Sequence, residues 1–175
     1  MEKLIIHAEQ YKAFQIAGVD MSHFEAAGKL PETPEIEVKF EQPPNYKEIV
    51  KVFPAVKLRR GVIFTYGKII YNPGRVVLTP ALRAHEMVHS RRQGVEDGPS
   101  KWWDRYLTDK KFRLAEELVA HQTEYLIATD GAGRQVRRAA LAQIAARLSG
   151  PIYGRMISLD DAKELIKGEF NVPQV

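Results

Sequence analysis

The stretch Thr79-Pro-Ala-Leu-Arg-Ala-His-Glu-Met-Val-His-Ser-Arg-Arg-Gln-Gly94 has the clearest start and stop signals of any helix in this sequence. Thr79 is a favourable N-cap residue, and Pro80 suits the first helical position, where no backbone N–H is needed. Gly94 is a natural residue just past a helix end. The stretch therefore predicts a helix of about four turns, and the rest of the fold is interpreted around it.

Three residues in the middle of this helix form an H-E-x-x-H motif: His85, Glu86 and His89. Residues four apart lie on one helix face, so the two imidazoles can bind a single Zn²⁺. Glu86 lies about 100° around the helix from His85, where its carboxylate can act as general base on a zinc-bound water. The motif predicts one zinc ion per chain and a hydrolytic reaction.

A catalytic zinc usually has three protein ligands, and the third is sought on a second helix. The residues that follow His89 lack the Gly and His spacing of metzincins. A long helix is predicted from Lys111 to Thr129, and within it Glu117 is preferred as the ligand. A polar residue, His121, follows Glu117 one helical turn later, and its side chain could orient the Glu117 carboxylate. Glu116 and His121 itself stay open as alternatives.

Four other side chains are candidates for weaker roles near this zinc. His121 is a candidate for orienting a ligand, and Tyr153 could donate a hydrogen bond to an oxyanion if its turn folds over the site. Trp102 and Trp103 could line a substrate groove, although paired tryptophans are more often part of a core. Packing of Tyr153 in the interior is the corresponding alternative for that residue.

The segments before the motif predict short strands and one short helix. Ile36–Phe40 alternates as a strand does, and Tyr46–Phe53 has helical spacing that ends at Pro54. Residues 61–67, 68–71 and 76–78 are predicted strands, with a turn at residues 72–74. The fold class is therefore α+β, with a small antiparallel sheet packed on the motif helix and on further helices.

Composition limits the remaining possibilities. The chain of 175 residues is 45% hydrophobic and has no cysteine, so any metal must be held by histidine and carboxylate.

Residues 1–45 are predicted to be an N-terminal arm and residues 46–175 the main domain. No signal peptide or transmembrane segment is evident, which predicts a cytoplasmic protein with no membrane partner. The net charge of +4 is dispersed, so nucleic-acid binding is expected to be weak or absent. The sequence gives no indication of the oligomeric state.

From about Tyr46 onward the chain resembles the small HExxH metallopeptidases that tailed bacteriophages and prophages encode. The resemblance covers about three quarters of the chain, and only the zinc motif is chemically specific. It implies a zincin-like, gluzincin-type fold and a peptide or protein substrate in the host cytoplasm. Glu117-Leu-Val-Ala-His121 resembles the E-x-x-A-x form of gluzincins, although many of those proteins have Asp in place of His121. The matching residues are Leu82–His89 with Gln93, Trp102–Leu107 with Phe112-Arg113, Glu117 with Ala120, Leu148–Gly154, Met156–Ser158 and Ala162–Ile166.

The sequence thus predicts a zinc peptidase in which His85, His89 and Glu117 hold the metal and Glu86 is the catalytic base. A catalytically silent, zinc-stabilised structural or interaction protein of a phage would have the same ligands, and it is the alternative.

Overall fold

The computed structural model describes residues 36–59 and 61–168. Within these residues the protein is α+β and mostly helical, as predicted for the fold class. The helices are α1 (Tyr46–Val52), α2 (Pro80–Val95), α3 (Pro99–Thr108), α4 (Lys110–Thr129), α5 (Arg134–Leu148) and α6 (Leu159–Lys167). The strands are β1 (Glu37–Lys39), β2 (Phe64–Tyr66) and β3 (Ile69–Tyr71), and residues 54–58 and 151–153 form short 3-10 turns.

The sheet is mixed, and the prediction of an antiparallel sheet is wrong in this respect. β2 and β3 form an antiparallel hairpin, but β1 pairs with the other side of β3 in parallel. β1 is separated from β3 by α1 and β2, and a connection of that length allows a parallel crossover. Ile36, next to β1, is buried with Ile70 and Met87. Residues 37–39 of the predicted N-terminal arm are therefore part of the sheet, and residues 1–35 lie outside the described residues.

The predicted strand at Val76–Leu78 is absent from the described structure, and this prediction is wrong. The Asn72 side chain accepts a hydrogen bond from Val76 N and donates one to Val76 O, both at 2.8 Å. These are the backbone groups that Val76 would offer to a neighbouring strand, so the segment forms a loop instead. Val77 is exposed at its tip.

The motif helix begins as predicted and ends slightly later. The Thr79 side chain accepts from Leu82 N at 3.2 Å, and Pro80 is the first helical residue. The helix continues through Gly94 to Val95. The glycine near this helix end that has a positive φ is Gly98, at 104°, and not Gly94. Gly98 and Pro99 together start α3, a helix that the sequence analysis did not predict.

Two of the helices, α2 and α4, pack along one another and provide most of the candidate site. Val88 from α2 is buried against Val119 and Ala120 from α4. Ala120 is fully buried, and its small side chain permits the two helices to approach closely. The larger aromatic core lies on one side of this pair, around Trp102, Trp103, Tyr106 and Phe112.

The outer edge of β2 is bonded to side chains. Gln93, on α2, donates from Nε2 to Thr65 O at 2.9 Å and accepts at Oε1 from Gly67 N at 2.7 Å. Trp103 Nε1 donates to the same Thr65 oxygen at 3.0 Å. One residue of a parallel neighbouring strand would make the two bonds that Gln93 makes. The Gln93 amide therefore takes the place of a fourth strand at this edge.

Among the described residues, no helix combines the length and the apolar character needed to cross a membrane.

Candidate metal centre

Helix α2 brings the two motif histidines together in the interior. His85 and His89 are both buried, and their Nε2 atoms lie 3.2 Å apart. Their rings meet edge to face, with centroids 4.9 Å apart. The i,i+4 spacing therefore does what the motif predicts: it directs two imidazole nitrogens to one point.

Helix α4 adds Glu117 to this pair. Glu117 Oε1 lies 3.4 Å from His89 Nε2, and Oε2 lies 3.7 Å from His85 Nε2. Ligands about 2.0–2.1 Å from a tetrahedral zinc are about 3.3 Å from one another. The three separations of 3.2, 3.4 and 3.7 Å are close to that value. Since Glu117 Oε2 also lacks a hydrogen-bond partner, the residues fit a zinc ion.

Of the two alternatives to Glu117, Glu116 is bonded to other partners, whereas His121 lies beside Glu117, with its Nε2 3.7 Å from Glu117 Oε2. Glu116 accepts hydrogen bonds from Arg92 on one side and from Trp102 Nε1, at 3.0 Å, on the other. His121 does not belong to the set formed by His85, His89 and Glu117; it belongs to a second set with His85 and Glu124. Successive residues on α4 point about 100° apart, so Glu116 and Glu117 face different neighbours.

Glu86 is buried beside the histidines but lies outside the ligand set. Its Oε2 accepts a hydrogen bond of 2.7 Å from the hydroxyl of Thr65, on β2. Of the hydrogen bonds that Thr65 makes with the motif helix, this one is the shortest. A carboxylate that is fixed in this way next to the metal position can accept a proton from a nearby water.

The charge of Glu117 is favoured by its neighbours. Burial would raise the pKa of this carboxyl, but His89, then His85 and His121, outweigh burial and hold the pKa well below its usual range. Tyr106 donates a 2.5 Å hydrogen bond to Glu117 Oε1. Burial, followed by the charge of Glu117, raises the pKa of Tyr106 well above its usual value, so the phenol keeps its proton.

The pKa values of the histidines also reflect a competition between burial and the charges of neighbouring groups. Burial lowers the pKa of His89, but Glu117 more than compensates and the net shift is upward. Burial and the neighbouring His85 lower the pKa of His121 to about 4, despite the attraction of Glu124. His121 is therefore neutral near pH 7.

A second group of polar side chains, His121, Glu124 and Arg147, lies on the Nδ1 side of His85. His121 Nδ1 is 3.1 Å from Glu124 Oε2, and His85 Nδ1 is 3.4 Å from the same oxygen. Arg147, on α5, donates to the other oxygen of Glu124. Burial would raise the pKa of Glu124, but its hydrogen bond with His121, the nearby His85 and the charge of Arg147 hold this pKa well below its usual range.

His85, His89 and Glu117 line a small cavity of about 60 Å³. Trp102 and Trp103 form part of its wall, but both are buried and packed against Tyr106. They lie in the core and do not line an open groove. Tyr153 also borders the cavity, with its ring 5.6 Å from that of His121. Burial and the charge of Glu117 raise the pKa of Tyr153 well above its usual value.

Sequence reasoning did not assign a role to four residues that contact the centre. Tyr106 lies one helical turn after the paired tryptophans, and Glu124 lies one turn after His121, so helical spacing was an available signal for both. No local pattern marks Thr65 or Arg147, because their contacts join residues 21 and 23 positions apart.

Comparisons of the chain with protein-family models, with curated proteins and with solved structures found no match.

Proposed function

We propose that this protein is a zinc-dependent peptidase with a zincin-like centre, in which His85, His89 and Glu117 hold one Zn²⁺. The observation that supports it best is the set of three separations, 3.2, 3.4 and 3.7 Å, among the buried ligand atoms. Glu86 stands next to this set in sequence and is not part of it. Three protein ligands with an adjacent free carboxylate is the arrangement expected of a catalytic zinc site.

The residues around the metal position have separable roles. A bound zinc ion supplies Lewis acidity and lowers the pKa of water. Glu86 accepts a proton at its carboxylate and passes it to the leaving amine of the peptide. Thr65 keeps that carboxylate in place through Oε2, and Tyr106 does the same for Glu117. Tyr153, which retains its proton, donates to the oxyanion of the substrate carbonyl.

Cleavage of a mixed substrate tests the proposal directly. The zinc-loaded protein is incubated with a mixture of denatured proteins, and the new chain termini are mapped by mass spectrometry. The matched control is Glu86→Gln, which keeps the side-chain volume and all three ligands. We expect new termini with the parent protein and a loss of about 10²–10⁴-fold in their rate of formation with the variant. Full activity, or loss of zinc, in Glu86→Gln contradicts the assigned role.

The small cavity favours a second candidate function. The chain would then be a phage protein that zinc stabilises and that has no catalytic activity. Structural zinc sites are closed, and the ligand residues here are buried around only about 60 Å³ of free space. Under this alternative, removal of zinc by a chelator lowers the melting temperature, but no new termini form in the substrate mixture. The two measurements together separate the candidates.

A further inference from the structure

His85 is shared between two groups of potential metal ligands. Its Nε2 atom faces His89 and Glu117, while its Nδ1 atom faces Glu124 beside His121. We propose that Glu124 is a positioning residue and not a ligand of a second metal: it fixes the proton of His85 on Nδ1, so that the Nε2 lone pair is directed at the zinc position. The inference rests on the proposed function only in taking the first group as the zinc centre.

The distances around Glu124 support this division of roles. Glu124 Oε2 lies 3.4 Å from His85 Nδ1 and 3.1 Å from His121 Nδ1. A carboxylate beside one ring nitrogen determines which tautomer is present, because it attracts the N–H. With its proton on Nδ1, His85 has a lone pair on Nε2. That lone pair can accept from His89 Nε2, which lies 3.2 Å away.

Arg147 makes Glu124 a poor ligand for a metal of its own. The guanidinium of Arg147 donates to Glu124 Oε1, and its positive charge already balances the carboxylate. A cation between Glu124, His85 and His121 would lie close to this guanidinium and be repelled by it. Such a cation would also have to bind Nδ1 of His85, whose Nε2 faces His89 and Glu117. The second group therefore orients His85 and binds no metal.

The chain contains a matched control for Glu124 on the same helix. Glu116 is also buried, and an arginine, Arg92, also donates to it. However, the remaining partner of Glu116 is Trp102 Nε1 and not a histidine nitrogen. Glu116→Gln and Glu124→Gln therefore remove the same charge from similar surroundings, and only the second change affects the proton of His85.

The first measurement is zinc binding, by competition with a coloured chelator. We expect one zinc ion per chain in the parent protein. Glu124→Gln should weaken zinc affinity by about 10–100-fold, which is typical for loss of a partner behind a ligand. Glu116→Gln should leave it unchanged. Equal affinities in the two variants overturn the proposal, as does a second zinc ion in the parent protein that is lost in Glu124→Gln.

The second measurement needs no metal. Nitrogen-15 NMR of the imidazole rings in the zinc-free protein reports which nitrogen of His85 carries the proton. We expect the Nδ1–H tautomer in the parent and in Glu116→Gln, and a shift towards Nε2–H in Glu124→Gln. An Nε2–H tautomer in the parent protein refutes the inference. If this tautomer pattern is found in a protein that binds no zinc, the proposed function fails while the orienting role of Glu124 stands.

Discussion

The hydroxyl of Thr65 donates a hydrogen bond of 2.7 Å to Glu86 Oε2, and both side chains are buried. This bond joins a strand of the sheet to the one motif residue that does not belong to the ligand set. The position of the proposed catalytic base thus depends on β2 as well as on the helix that carries it.

Replacing Thr65 by Val should therefore affect both stability and activity. The change keeps the shape of the side chain but leaves a buried carboxylate oxygen without its donor. We expect the free energy of unfolding to fall by about 1.5–3 kcal/mol, the range for a hydrogen bond to a charged group. Hydrolysis should fall by about 10–100-fold, because a small displacement of a catalytic group is costly. Urea denaturation and turnover measure the two effects. Thr65→Ser, which keeps the hydroxyl, is the control, and equal behaviour of the two variants contradicts the prediction.

The hydrogen bond from Tyr106 to Glu117 gives a prediction about metal affinity. Tyr106→Phe keeps the ring stacked on Trp102 and removes only the hydroxyl that donates to Glu117 Oε1. We expect zinc affinity to fall by about 10–100-fold, as for other groups that orient a ligand. Tyr125→Phe is the control, since Tyr125 lies on α4, as Glu117 does, but packs against the buried residues of α5 and α6 around Leu148 and Ala162. A parent-like zinc dissociation constant in Tyr106→Phe would show that Glu117 needs no such support.

Gln93 is expected to stabilise the fold through backbone groups of β2 and of the turn that follows it. Gln93→Ala removes the partner of Gly67 N and one of the two donors to Thr65 O. A buried polar group without a partner costs about 1–3 kcal/mol, so we expect a loss of that size in urea denaturation. Amide hydrogen exchange at Gly67 should accelerate at the same time. Gln122→Ala removes a comparable bond, to Leu165 O, and should leave exchange at Gly67 unchanged. Unaltered protection of Gly67 in Gln93→Ala refutes the prediction.

Nucleic-acid binding is expected to be weak. The basic excess is spread over small groups, and exposed arginines such as Arg134 and Arg138 on α5 are not interleaved with stacking aromatic residues. Affinity that rests on phosphate contacts alone falls steeply with salt. In a mobility-shift assay we expect any complex with DNA to disappear at about 0.15 M salt. A submicromolar complex that survives this salt concentration would rank nucleic-acid binding above the peptidase proposal.

The sequence predicted the parts of the site whose determinants are local. Thr79 and Pro80 mark the start of α2, and the spacing of His85 and His89 requires only helical geometry. The choice of Glu117 over Glu116 could be made from the helical face alone, and the structure places Glu117 with the two histidines. These predictions depended on neighbours within about one or two helical turns.

Two of the errors concern contacts between distant parts of the chain, and one concerns a local contact. The parallel pairing of β1 with β3 joins Val38 to Ile70, and no turn signal records such a pairing. The strand predicted at Val76 was lost to a side chain, Asn72, that competes for its backbone groups. The contact of Thr65 with Glu86 depends on how the sheet packs on α2, which periodicity does not specify.

The amide of Gln93 has a consequence for what can approach the protein from the side of β2. A strand edge normally offers alternate N–H and C=O groups to any extended chain, including another copy of the same protein. Here Thr65 O is saturated by Gln93 and Trp103, and Gly67 N is taken by Gln93. A peptide cannot extend the sheet along these residues, and neither can a second molecule in the first step of aggregation. An extended polypeptide that approached the candidate metal centre from this side would have to find its backbone partners elsewhere.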